Sequence, residues 1–134
     1  MVPDSEALSD LIGTVYDTTL DRALWPDALR KSVEFVGGSA SSLYSKNVAH
    51  RTGHTVWHWN SRSDTPVISY FDEYVKIDPI TICQFRFDVG QEYSVGDCIP
   101  YPEFFETRVY KEWAKPQRWV DHLCLLYTSP SPRD

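Results

Sequence analysis

The stretch LRKSVEFVGGSASSLYSKNVAHRTGHTVWHWN, Leu29 to Asn60, changes its period part-way through, and that change decides the fold. Up to Val36 the apolar residues Leu29, Val33 and Val36 follow helical spacing. Gly37-Gly38 then stops the helix, because glycine adopts the left-handed backbone that ends one without a Cβ clash. Beyond it the period becomes two. Ala40 to Lys46 reads as a strand, with Leu43 opposed to Tyr44 across the pleat. Thr55 to Asn60 reads as a second strand, with Trp57 and Trp59 on one face and Val56 and His58 on the other. Arg51-Thr52-Gly53-His54 is the turn candidate between them, so the pair is expected as an antiparallel hairpin with a long loop.

Working outward from the hairpin, helices precede it. Leu8, Leu11, Ile12 and Val15 have the i, i+3, i+4, i+7 spacing of an amphipathic helix, with Asp4 or Ser5 as its cap. A second helix starts after Leu20 and carries Pro26 in its first turn. After the hairpin, Asn60 to Asp64 is a loop. Thr65 and Pro66 look like the cap and first turn of a helix that runs to Ile77. Its apolar positions include Ile68, Phe71 and Val75, and Tyr70 and Tyr74 lie one turn apart beside them. Asp78-Pro79 ends it, since the residue before proline avoids the α region. Ile80 to Phe85 is expected as another short helix. Gly90 opens a third strand, Glu92 to Val95. A last helix starts near Pro102, with Phe105, Val109 and Trp113 as one stripe, and Pro116 ends it. Val120 to Leu123 begins a further strand. The order predicts an α+β fold: a small antiparallel sheet flanked by helices, as in PAS- and GAF-like sensor modules, incomplete at the carboxyl end.

Bulk properties narrow the function. A chain of 134 residues supports a real core without staples. Its net charge of -6 argues against nucleic-acid binding by this segment alone, since phosphate contacts need a basic face. The acidic start, Met1-Val-Pro-Asp-Ser-Glu, lacks the apolar core of a signal peptide, and no apolar run spans a bilayer. A cytoplasmic protein is expected. Cys83, Cys98 and Cys124 have no metal-ligand spacing and read as reduced, partly buried thiols. Cys124 to Asp134, CLLYTSPSPRD, looks like one translated frame of a transposase-type sequencing adapter. Residues 1–123 are therefore expected as one truncated sensor domain, and 124–134 as a non-native tail.

Two stretches resemble a known family. YFDEYVKIDPI, Tyr70 to Ile80, resembles the autoinducer-binding domain of LuxR-type quorum-sensing regulators. FFETRVYKEWAKPQRWVD, Phe104 to Asp121, looks like a signature of a further group of LuxR-type regulators from soil bacteria. That group also opens with a segment like LSDLIGTVYDTTLDRALWPDAL, Leu8 to Leu29. The resemblance implies a sensor followed by a carboxyl-terminal helix-turn-helix that binds DNA; no part of this chain is expected to bind DNA itself. It also implies that Asp78 bonds the amide of an acyl-homoserine lactone, with Tyr74 as a nearby aromatic. Further upstream, the family's Trp and Tyr fall on Thr65 and Ser69, which cannot cover a lactone ring. A different small ligand, or none, stays open. Arg118 stands where relatives often have glycine.

The candidate ligand-binding residues are Tyr44, Trp57, Trp59, Tyr70, Tyr74 and Asp78. Aromatics suit such a site because small-molecule pockets are mostly apolar with a few polar groups. The same tryptophans also suit a strand face packed on a helix, and Asp78 also suits a helix boundary that bonds nearby backbone. His50, His54 and His58 are spaced by four, as metal ligands on a helix would be, but Gly53 and the strand pattern break that helix. No nucleophile elbow, phosphate-cradling glycine loop or zinc-protease helix is present, and neither metal nor cofactor is read from the chain. The expected function is a small-molecule sensor or homodimerising module of a regulator, not an enzyme. The alternative is a stand-alone interaction or dimerisation module without ligand, and a small enzyme ranks below both.

Overall fold

The computed structural model describes residues 4–47, 49–61 and 67–126. Helix and strand are mixed as expected. The chain groups into two compact units. One takes Met1–Tyr44 and Thr55–Thr65, the other Ser45–His54 and Pro66–Asp134. No helix among the described residues is long and apolar enough to cross a membrane.

The first unit starts with α1 (Ser5–Asp17), whose cap is Asp4: its carboxylate accepts the Glu6 N–H at 2.9 Å. After a short turn, Arg22–Leu24, α2 (Trp25–Val36) carries Pro26 in its first turn and ends at Gly37, with φ of 73°. The helices are where the spacing puts them, but their buried faces differ from it. Leu8, Ile12 and Val15 of α1 are exposed, at 41, 47 and 37 %, while Thr14 and Thr18 are buried. Polar anchors set this rotation. Lys31 on α2 donates to Thr14 Oγ1 at 2.8 Å and pairs with Asp10 at 2.9 Å. The threonines lose little by burial, because Thr14 donates to the Asp10 carbonyl and Thr18 to the Val15 carbonyl. In α2, Ala28, Leu29 and Val33 are buried, but Val36 in the last turn points outward.

Strands β1 (Ala40–Asn47) and β2 (Thr52–Asn60) form a two-stranded sheet. So short a connection requires antiparallel pairing. Its base is tied to α2 by Ser41, which donates to the Leu29 carbonyl at 2.9 Å. Along β2, Thr55, Trp57 and Trp59 are half-buried and Val56 and His58 exposed, as the alternation predicts. The connection is shorter than expected. Arg51 takes the left-handed turn position, with φ of 54°, and Thr52 to His54 are already strand. Gly53 serves close approach rather than the turn: a Cβ there would meet Phe71 Cε1 at 2.8 Å.

The second unit is built from short pieces. The single helix expected over Thr65–Ile77 is divided into α3 (Val67–Asp72) and a 3-10 turn, Tyr74–Lys76; its proposed cap, Thr65-Pro66, lies outside the described residues. Glu73 leaves helical dihedrals, and this turns Tyr74 and Val75 into the core. Asp78 then caps α4 (Pro79–Cys83), accepting the Ile80 N–H at 3.0 Å. A 3-10 turn, Gln84–Arg86, follows. Strand β3 (Tyr93–Ser94) pairs antiparallel with β4 (Leu123–Cys124), Tyr93 opposite Cys124 and Ser94 opposite Leu123. Of the adapter-like stretch, Cys124 belongs to this sheet, and Leu126 packs against the core with its carbonyl accepting the Gly90 N–H at 3.0 Å.

The last long helix is likewise interrupted. Helix α5 (Tyr101–Phe104) ends at a turn, a π turn covers Val109–Ala114, and a 3-10 turn covers Lys115–Gln117. Thr107 makes the break: its hydroxyl donates to the Phe104 carbonyl at 2.6 Å and accepts the Tyr110 N–H at 3.2 Å. The break changes the buried stripe. Phe104 and Val109 are buried at 5 and 3 %, and Phe105 is 36 % exposed. Pro116 sits inside the closing turn, which Arg118 ends in the left-handed region at φ of 62°. The core of this unit is Tyr74, Ile80, Tyr93, Val95, Phe104 and Val109, with Phe87 stacked on Tyr93 at 4.3 Å.

The cysteine expectation is overturned. Cys83 and Cys98 form a disulfide, with Cα atoms 5.7 Å apart, and Cys124 lies outside it. The intervening residues fold back through β3, which brings together two cysteines whose spacing gives no sign of pairing.

Candidate functional site

The six candidate residues fall in different units. Tyr44, Trp57 and Trp59 belong to the first, where all three are half-buried on the hairpin. The Trp57 indole N–H is buried without a partner among the described residues. Tyr70, Tyr74 and Asp78 belong to the second unit. A shallow cleft in the first unit is lined by Ala7, Asp10, Lys31, Glu34 and Phe35, and thus by none of the six.

In the second unit, two of the three converge. Tyr70, on α3, donates its hydroxyl proton to Asp78 Oδ2 at 2.5 Å. The other Asp78 oxygen caps α4, so one carboxylate both starts a helix and fixes a phenol. Tyr74, one turn further along, points elsewhere: it donates to Glu112 Oε1 at 3.2 Å. Desolvation, reinforced by Glu112, pushes the Tyr74 phenol up from its ordinary pKa.

Lys46, which the sequence reading missed, completes the group. It comes from the tip of β1, and its ammonium donates to Tyr70 Oη at 2.9 Å and Thr81 Oγ1 at 3.3 Å. Thr81 is fully buried and donates to the Val75 carbonyl at 3.0 Å. Desolvation lowers the Lys46 pKa, and the charge of Asp78 opposes that shift. Its position two residues after Tyr44 on the strand was the available signal, because residues two apart share a face. His122 was missed as well. Desolvation pulls its pKa below 6.5, Lys46 pulls the same way, and Asp78 and Asp121 oppose. The residue as a whole is exposed, but its ring meets Tyr93 edge-on at 5.9 Å, and we take the desolvation to act on the imidazole rather than on the rest of the residue.

Aromatic rings surround the polar group. Trp113 lies 4.8 Å from the Tyr70 ring and Phe71 meets it edge-on at 5.0 Å. Trp113 comes from the π turn and also packs on Trp119 at 5.1 Å. Its buried indole N–H and the buried Gln117 Oε1 lack partners among the described residues. The arrangement is a cation, a phenol and a carboxylate in series, held beside aromatic faces. Such a group can orient a polar ligand or hold two elements in register.

No group of His, Cys, Asp and Glu that could hold a metal ion occurs among the described residues. His54 and His58 are exposed on one face of β2, where four residues of extended chain span about 13 Å, and His50 precedes the strand in the turn, so they do not converge as they would on a helix. The chain matches no family model, no curated protein and no solved structure.

Proposed function

We propose that this chain is the sensor portion of a bacterial LuxR-type transcription regulator, and that a small molecule acts where the hairpin tip meets α3. The observation that supports this reading is the Lys46–Tyr70–Asp78 series set among Tyr70, Phe71 and Trp113. A few convergent polar groups in an aromatic setting are the make-up of a small-ligand site. The mechanism is a population shift. A ligand that takes over the bonds between Tyr70, Asp78 and Lys46 favours the arrangement in which hairpin tip and α3 are parted. That bias is passed to DNA-binding domains further along the regulator. Residues 124–134 stay, in this reading, adapter-derived.

The test is thermal unfolding of the chain with a panel of small amides, lactones and carboxylic acids. A compound that raises the wild-type Tm, and fails to do so for Tyr70→Phe and Lys46→Met, supports the reading. A panel without any effect on the wild type removes it. The second reading, an interaction module without ligand, has its own observation: Leu8, Ile12 and Val15 of α1 lie exposed. A concentration-dependent dimer that Ile12→Glu abolishes, together with an inert panel, favours it.

A further inference from the structure

We infer that the Cys83–Cys98 pair is a thiol–disulfide exchange site whose reaction partner is a dithiol reductant, and that its state governs the segment between the two cysteines. The pair brackets that segment at both ends. Cys83 closes α4, and Cys98 follows the 3-10 turn Val95–Asp97. Between them lie Gln84, Tyr93 and Val95, each at most 2 % exposed. Gln84 donates to Tyr93 Oη at 2.6 Å, so the segment is also held from within. The remaining cysteine, Cys124, sits opposite Tyr93 in β4.

Two features favour exchange over a permanent staple. The first is access. Cys83 is 5 % exposed, whereas Cys98 is half-buried at the edge of the core cluster, which makes Cys98 the more open end of the bond to an incoming thiolate. The second is need. Small domains take disulfides when their cores are too small, and a chain of 134 residues is above that range. This unit already has an aromatic cluster and an internal polar series.

The chemistry balances as ordinary exchange. One reductant thiolate attacks the Cys98 sulfur, the Cys83–Cys98 bond breaks, and Cys83 leaves as a thiolate that takes up a proton. The second reductant thiol then displaces Cys98. Two electrons and two protons pass to the protein, giving two thiols, and the reductant leaves as its own disulfide. With the bond open, the segment is left to non-covalent ties: the Gln84–Tyr93 hydrogen bond, the β3–β4 pairing, the Val95 N–H donated to Asp121 Oδ1 and the apolar contacts of Tyr93 and Val95.

The experiment uses the full chain and dithiothreitol as probe. Alkylation without reductant, read by peptide mass, should leave Cys83 and Cys98 unlabelled. Graded dithiothreitol should then expose both to alkylation at least about tenfold faster than the chain unfolds globally, as a local opening requires. Amide hydrogen exchange over residues 84–97 should speed up by a similar factor, and oxidised dithiothreitol should restore it. A Cys83→Ser, Cys98→Ser double variant should show the fast exchange without reductant. Labelling of both cysteines before reduction overturns the proposal, as does reduction only at the global unfolding rate. A double variant that fails to fold overturns it too, because the bond is then a structural staple.

Discussion

The two units are held together in opposite ways. The first uses two regular helices, capped by Asp4 and stopped by Gly37, and ties them with charges at the surface. Lys31 of α2 pairs with Asp10 of α1, while Arg30 pairs with Asp27 and Glu34 within α2 itself. Such pairs stay hydrated and contribute little. Part of its apolar side-chain set faces outward. The second unit has few regular turns, yet it packs aromatics around a half-buried lysine and carboxylate, buries Thr81, Gln84 and Gln117, and closes a disulfide. Most buried polar groups need a partner, and irregular backbone brings partners to Lys46, Tyr70, Asp78, Thr81 and Gln84, while Trp113 Nε1 and Gln117 Oε1 have none among the described residues. Irregularity therefore marks the part of the chain where side-chain chemistry is concentrated.

The largest test of that contrast is Asp78→Ala. It removes a helix cap and the charged acceptor of Tyr70 together, and should cost about 2–3 kcal/mol in urea unfolding. Asp10→Ala, which breaks the α1–α2 surface pair, should leave the midpoint where it is. Equal losses from both would abolish the distinction between the units. A smaller effect of opposite sign is expected from Arg118→Gly. Arg118 holds φ of 62°, a region that costs an L side chain roughly 1–2 kcal/mol, so glycine should stabilise by about 1 kcal/mol. A neutral or destabilising result would mean that contacts of the arginine outweigh its backbone strain.

The gentlest test is pH. His122 has a folded pKa below its ordinary 6.5, so the unfolded chain binds the extra proton first, and stability falls as pH drops below about 6.5. Lys46 acts in the same direction over the range below 10.5. The first unit behaves differently: the bond from Arg30 lowers the Asp27 pKa, so that contribution is lost only as pH falls below 3.8. Mild acid should therefore speed amide exchange around β3 and β4 before it affects α1 and α2, and His122→Gln should remove much of the effect. Uniform loss across both units at pH 5–6 would count against it.

How far the sequence could be read follows the same division. Caps and stops act over a few residues, and Asp4, Pro26, Gly37 and the Asp78-Pro79 pair are all visible in it. The alternation around Trp57 and Trp59 was equally plain, because strand period depends on local geometry. What stayed hidden depends on distant partners. Thr14 is buried because Lys31 bonds it, and Phe104 replaces Phe105 because Thr107 breaks the helix. Lys46 reads as a solvent-facing lysine until Tyr70 and Thr81 are brought to it. The positive φ of Arg118 is a middle case: Pro116 two residues before it marks the end of the helix, but an arginine gives no sign of the left-handed backbone that follows.

The π turn over Val109–Ala114 has a further consequence, one for the gene rather than for the site. A π turn closes its hydrogen bonds at i→i+5, so it carries about one more residue than the α turn that would fill the same place. Loss of a single codon within it can tighten the turn to the α form, while Phe104 before it and Arg118 after it keep their local backbone. Length can change by one within it without a loop to absorb the difference.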